Sequence, residues 1–346
     1  MEFTKEQTQI AKGVAICLMM IYHLFNFSDR ILNGNSYIPL IPFFNIEAEV
    51  ASFGSICVSM LLFLSGYGMS LGYVHSKDKL LIYSIKKLRD FYFTYWLYFL
   101  IFVPIGLLYF QEVTVWGTED VRYLSDPKTF LENFLGWSSI YNADWWFIRI
   151  FVMSLIFLFP LYTKLADKNI ALAASVSLFL LALSSKVNNY GHLGFTYWQT
   201  SFALGIICAK VKFFSTSRLI KHFDKASWVW IFLGLLLCLI LRLMVGGTEI
   251  DFLIVPFFIY FSCKAVAILN LSKLIAYLGR YSFPLWLIHS FFCYYYFQDI
   301  IYFPKWSPFV FILLTTVSLL SVLAIENFRS YVLHLTKAWT GQIKKI

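Results

Sequence analysis

Apolar runs long enough to cross a lipid bilayer constrain this chain more than any single residue does. Spanning the hydrocarbon core takes roughly 20 mostly apolar residues in an α-helix. Stretches meeting that rule fall at about 8–27, 52–74, 91–110, 145–163, 169–185, 195–211, 227–245, 250–269, 281–300 and 307–326. Within lipid, every backbone N–H and C=O must be satisfied by the segment itself, which a helix achieves and an open strand does not. The expected fold is therefore all-α, a polytopic membrane helix bundle of about ten transmembrane helices. Residues 1–330 are expected to form one membrane domain and residues 331–346 a short basic cytoplasmic tail. The first apolar stretch lacks a small-residue cleavage site and is followed by further spans, so it is expected to stay as a signal anchor.

Composition supports this reading. The hydrophobic fraction is 60 % and the charged fraction 14 %, with a mean hydropathy of +0.70, whereas soluble domains run about a quarter charged. The formal charge of +9 argues for anionic lipid headgroups rather than nucleic acid, because the basic residues sit in short clusters between apolar stretches. The six cysteines (Cys17, Cys57, Cys208, Cys238, Cys263 and Cys293) all lie inside apolar stretches, with no CxxC spacing and no histidine in metal-ligand register. They read as small core hydrophobes, and neither disulfides nor a metal is expected.

Lysine and arginine set the expected orientation in the cell membrane. With the N-terminus placed in the cytoplasm, inside segments hold 21 of the 28 basic residues. These include Lys5, Lys12, Lys77, Lys79, Lys86, Lys87, Arg89, Arg329, Lys337, Lys344 and Lys345. Outside segments hold only Arg30, Arg122, Lys128, Lys186 and Lys305, and both termini are cytoplasmic on an even span count. The longest outer segment, about Gln111 to Asp144, is too long for a plain turn. It reads either as a short amphipathic helix or cap on the outer surface or as a solvated loop. No internal repeat or attached soluble domain is visible.

Ionisable groups inside spans are costly and usually face a bundle interior or a water-filled cavity. Here they are Lys12, His23, Arg149, Arg242, Lys264, His289 and Glu326, with Asp144 at the edge of the fourth stretch. Lys12 and His23 are eleven positions apart and share one helix face, about 16 Å apart along the axis. Two readings stand side by side. Either the pair lines a functional path, or Lys12 snorkels to the headgroups and His23 hydrogen-bonds a neighbouring helix. Arg149 and Glu326 are expected to pair with each other or with Asp144. Trp145 and Trp146 are candidates for stacking on a sugar.

Several of these stretches together resemble the acyltransferase 3 family of membrane acyltransferases. KGVAICLMMIYH, from Lys12 to His23, is similar to its RGIAxxxVxxxH pattern, with lysine in place of arginine. CVSMLLFLSGYGMS is similar to the family's second span and holds Ser65, Gly66 and Tyr67, with Ser59 where an acid often sits. GRYSFPLWLIHS supplies Gly279, Ser282 and His289 at the spacing of a third motif, and DWWFIRIFVMSLIFLFPLY resembles a fourth. KKLRDFYFTYW keeps Lys87 and Arg89 of a basic motif, with Asp90 near a second arginine's place and Phe93 where proline often falls.

The resemblance implies transfer of an acyl group, most often acetyl, from cytoplasmic acyl-CoA to a hydroxyl of an envelope polysaccharide or lipid-linked glycan. His23 is then the catalytic candidate. An imidazole accepts a proton near neutral pH, and it can instead take the acyl group as a nucleophile. Lys12, Lys86, Lys87 and Arg89 are candidates to bind the CoA phosphates. His289, Ser282, Tyr67 and Arg149 are candidates to shape the channel or support the site. An extended pantetheine arm of on the order of 15–20 Å matches the rise from Lys12 to His23. The competing reading is a secondary transporter or flippase, which also suits many spans with internal charges. The acceptor, the acyl group and the oligomeric state are not legible in the sequence.

Overall fold

The computed structural model describes residues 3–41, 46–184, 188, 191–225, 227–245 and 248–343, with side chains described as far as residue 334. Lys186, Lys344 and Lys345 lie outside the described residues, and of Lys337 only the backbone is described. In chain order the helices are α1 (Lys5–Phe25), α2 (Ile46–Gly54), α3 (Cys57–Val74), α4 (Leu80–Tyr109) and α5 (Pro127–Phe134). Then follow α6 (Trp146–Met153), a π-helical turn (Ser154–Leu158), α7 (Phe159–Lys168), α8 (Ile170–Leu183) and α9 (Phe195–Lys210). The short α10 (Phe213–Thr216) and α11 (Arg218–Asp224) lead to α12 (Trp228–Val245) and α13 (Asp251–Ile268). Last come α14 (Ser272–Arg280), α15 (Ser282–Ser290), a second π-helical turn (Phe291–Tyr295), α16 (Gln298–Tyr302) and α17 (Ser307–Ile343).

The chain is an all-α membrane bundle, and among the described residues seven segments are long and apolar enough to cross a bilayer. The stretches expected at 169–185 and 195–211 are the 14-residue α8 and the 16-residue α9. That at 281–300 is divided by the second π turn. Length alone therefore carries seven crossings rather than ten. α17 runs through the boundary expected at residue 330 without a break. The long segment from Gln111 to Asp144 contains α5, capped by the Asp126 carboxylate, which accepts the Thr129 N–H at 2.7 Å. It is held against α4 by Tyr95, whose hydroxyl donates to the Asn133 carbonyl at 2.5 Å, and by Trp96, whose indole N–H donates to Phe134 O at 2.9 Å.

The outer helices show what faces lipid. α12 buries only Ile231, Cys238 and Arg242, and Leu233, Leu236, Leu237, Ile240, Leu241 and Met244 stand exposed. In water that surface would be untenable, and in hydrocarbon it costs nothing. Arg242 survives there because it is fully partnered. Its Nε donates to Asp251 Oδ1 at 2.6 Å, Nη1 to Ser52 O at 3.0 Å and Nη2 to Ser55 Oγ at 2.6 Å. Removing either member of such a buried pair strands the other charge, at a cost of about 3–5 kcal/mol.

Two close helix crossings set the interior. A Cβ at Gly279 would sit 1.8 Å from Gln9 O and one at Gly13 2.0 Å from Ile275 O. Only glycine lets α1 and α14 approach this far. Gly66 and Gly205 do the same for α3 and α9, with backbone oxygens of Phe202 and Phe63 each 2.2 Å from the missing Cβ. α1 begins in a capping box, Thr4 Oγ1 accepting the Gln7 N–H and Gln7 Oε1 accepting the Thr4 N–H. The first crossing locks α1 to the segment that carries α15, and so brings the far end of α1 beside His289.

Candidate functional site

His23, Asp144 and His289 converge from three elements. His23 lies in the last turn of α1, Asp144 in the 3-10 turn that opens α6, and His289 near the end of α15. His23 Nδ1 is 3.7 Å from Asp144 Oδ1, His289 Nε2 is 3.6 Å from Asp144 Oδ2, and the two rings are 4.9 Å apart. All three are buried.

The chain around each residue explains its position. Asn142 Oδ1 accepts from the Asp144 N–H at 3.0 Å and from Ser290 Oγ at 3.1 Å. The Ala143 N–H donates to Tyr295 Oη at 3.1 Å, and the Trp145 indole donates to Leu287 O at 3.1 Å. Three hydrogen bonds thus clamp the 142–145 turn to α15 and its π turn. The π turn rotates Tyr294 toward α1, a use of irregular helix that recurs at functional sites. Tyr294 Oη donates to His23 O at 2.5 Å, and Tyr302 Oη donates to Leu24 O at 2.6 Å, so both satisfy carbonyls that a helix end leaves open.

These bonds assign the ring nitrogens. The Tyr294 proton is committed to His23 O, so at 3.3 Å from His23 Nδ1 its oxygen is an acceptor. The proton then sits on Nδ1, and Nε2 carries the lone pair. His289 Nδ1–H likewise donates to Trp286 O at 2.9 Å, which turns Nε2 toward Asp144. His289 Nε2 and Asp144 Oδ2 are buried and have no hydrogen bond among the described residues. These three side chains also form a group whose ligand atoms lie within 4.8 Å of one another, close enough to hold a metal ion.

His23 and Asp144 border a cavity of about 830 Å³ whose wall includes Arg30, Trp116, Trp146, Leu61, Phe147 and Trp286. A second cavity, of about 470 Å³, is lined by Lys12, Ser65, Tyr83, Lys87, Asp90 and Ser282. Leu61, Phe147 and Trp286 line both, so a thin apolar partition separates Lys12 and Lys87 from His23.

Lys12, Lys87 and Ser282 therefore gather at the second cavity and His23 at the first, with His289 fully buried on the far side of Asp144. Lys86 and Arg89 stand outside these walls. Lys86 pairs with Asp78 at 2.7 Å and Arg89 with Asp90 at 2.9 Å. Tyr67 is packed among Phe3, Phe63 and Phe214. Arg149 donates to Trp137 O at 2.8 Å and meets His192 at 3.1 Å, whereas Glu326 accepts from Tyr98 and lies 3.5 Å from Arg329. The expected pairing of Glu326 with Arg149 or Asp144 is thus replaced by local partners. Trp145 is fully buried against Tyr95, Phe99 and Phe291, away from any sugar. Sequence reasoning missed Asn142 and Tyr294, and it placed Asp144 at an edge without seeing it as the partner of both histidines. A carboxylate opening an apolar span was the available signal.

No curated protein and no solved structure matches the chain. The profile of an acyltransferase domain matches residues 8–326, nearly its whole length. With that match over the segments that carry Lys12, His23 and His289, the chain belongs to the acyltransferase 3 family of membrane proteins.

Proposed function

We propose that the protein transfers an acyl group, acetyl in the first instance, from cytoplasmic acyl-CoA to a hydroxyl of an envelope polysaccharide or lipid-linked glycan. It does so in the cytoplasmic membrane, with both termini on the cytoplasmic side. The observation that carries this reading is the partition: a cavity with two lysines and a cavity bordered by His23 and Asp144 meet at Leu61, Phe147 and Trp286. The CoA phosphates bind at Lys12 and Lys87, and the thioester reaches across the partition to His23.

His23 Nε2 takes the proton of the acceptor hydroxyl as its oxygen attacks the thioester carbonyl. The carbon–sulfur bond breaks, and the CoA thiolate leaves and recovers that proton. Asp144, 3.7 Å from Nδ1, stabilises the imidazolium while it exists. An acyl-histidine intermediate uses the same nitrogen as nucleophile. The test is CoA release and label transfer from radiolabelled acetyl-CoA in membranes containing wild-type or His23→Ala protein. The substitution is expected to lower turnover by about a hundredfold or more, with CoA binding retained. Transfer near the wild-type rate would overturn the reading, and wild-type protein that never releases CoA would favour the transporter or flippase.

A further inference from the structure

Trp116 stands where two cavities meet. It lines the His23 cavity and also a neighbouring one of about 540 Å³ that shares Ser139 and Ala143 with it. Two guanidinium groups lie on its ring, Arg30 at 4.0 Å and Arg122 at 5.0 Å from the centroid. Arg30 also lies 5.7 Å from the ring of Tyr294, the residue bonded to His23. Arg122 is 1 % exposed and lies 4.5 Å from the Tyr295 ring.

A buried guanidinium is normally matched by a carboxylate. Arg122 donates only to carbonyls, from Nε to Thr114 at 3.3 Å and from Nη1 to Ile140 at 2.7 Å, and its buried Nη2 has no hydrogen bond among the described residues. Neither Arg122 nor Arg30 forms an ion pair among them. Three acids share these cavities without pairing to either arginine: Asp144 faces the histidines, Glu49 lines the His23 cavity, and Glu132, 4.0 Å from Lys128, lines the neighbouring one. Cations stacked on an indole beside a site for a polyhydroxylated acceptor offer both a ring for a sugar face and charge for an oxyanion.

We infer that Arg30, Arg122 and Trp116 form the binding site for an anionic acceptor, a sugar carrying a phosphate or carboxylate, and hold its hydroxyl toward His23. This rests on the acyl-transfer reading for its purpose. Its test does not depend on that reading, because it measures binding. The full chain in detergent is titrated with glucose 1-phosphate, methyl glucuronide, methyl glucoside and glycerol 1-phosphate, in wild-type and His23→Ala forms.

At least one anionic sugar is expected to bind about tenfold more tightly than methyl glucoside and more tightly than glycerol 1-phosphate, equally in both forms. Which anionic sugar wins separates a phosphate-bearing from a carboxylate-bearing acceptor. Arg30→Gln, on a partly exposed residue, should remove most of that preference and leave the neutral probe unchanged, and Arg122→Lys should reduce it. Four results each overturn the inference: no binding of either anionic sugar, equal binding of charged and neutral sugars, binding untouched by Arg30→Gln, or glycerol 1-phosphate binding as tightly as the sugars. The last would assign the arginines to lipid headgroups.

Discussion

His23, Asp144 and His289 are buried and cross-braced beside one cavity, whereas at the other Lys87 and Asp90 are exposed and Lys12 is half-buried. His23, Asp144 and His289 are 9 %, 5 % and 0 % exposed and are tied to three elements. Lys87 is exposed, its ammonium 5.4 Å from the Tyr83 ring, and Asp90 beside it is exposed as well. Rigid, desolvated groups suit charge that appears only in a transition state, since they need no reorganisation when it forms. Mobile ammonium groups suit a ligand that must enter and leave at every turnover. Under the proposed acyl transfer the first cavity is the place of chemistry and the second a place of capture, which predicts different kinetic signatures for each.

The largest effect after loss of His23 itself belongs to Asp144. Asp144→Asn keeps the shape and removes the charge facing both rings, so kcat should fall by about a hundredfold while KM for acyl-CoA stays within about twofold. Steady-state CoA release measures both. A change confined to KM would move Asp144 from chemistry to capture and break the comparison. At the other cavity the pattern inverts: Lys12→Ala and Lys87→Ala should each raise KM for acyl-CoA by about three- to tenfold with little change in kcat, the mark of lost uniform binding.

How much of this was legible in the sequence depends on the range of the interaction involved. Apolar periods, the Lys12–His23 stripe and the clustering of cations are local, and each could be read from a single segment. α8, α9 and the segment from α15 to α16 fall short of the length that the other seven reach, and hydropathy alone does not register the π turn that divides the last of them. The Asp144 contacts depend on the Gly13–Gly279 crossing and on the Asn142 clamp, which join residues well over a hundred positions apart. No local pattern encodes that meeting. Lys86 and Arg89 were grouped with Lys12 because all are basic and were placed near the inner surface of the membrane. The acids at Asp78 and Asp90 that take them were visible in the sequence, but the pairing was not.

The partition between the cavities offers a test of intermediate size. Trp286 lines both, and its ring is 5.5 Å from that of Phe147. Trp286→Ala removes one wall of the passage and should shift preference from acetyl toward longer acyl chains by a fewfold in kcat/KM, since a methylene in an apolar slot is worth about 1–3 kcal/mol. Competition between acetyl-CoA and butyryl-CoA for transfer gives the ratio directly. An unchanged ratio would mean that the acyl group does not pass this residue.

The smallest effects are expected where a cation that stands outside the cavity walls already has a partner. Arg89 donates to Asp90 from Nη2 at 2.9 Å and from Nε at 3.2 Å, and Lys86 lies 2.7 and 2.8 Å from the two oxygens of Asp78. Arg89→Ala and Lys86→Ala should therefore raise KM for acyl-CoA by less than about twofold, below the change at Lys87. The Asp78 pair also has a pH signature. The hydrogen bond from the Lys86 ammonium, followed by its charge, holds the Asp78 carboxyl below its ordinary value. A carboxyl lowered on folding contributes its stability fully above its unfolded pKa of about 4 and loses it as pH falls through the folded value. Asp78→Asn should thus lower the melting temperature slightly at pH 7, and the difference from wild type should shrink to nothing as the pH is taken well below 4. Because the pair is solvent-exposed, the shift at pH 7 should be small and should fade in high salt. A large, salt-independent shift would mean that Asp78 and Lys86 brace the Lys12 cavity after all, and the line drawn between capture and scaffold would have to move to include them.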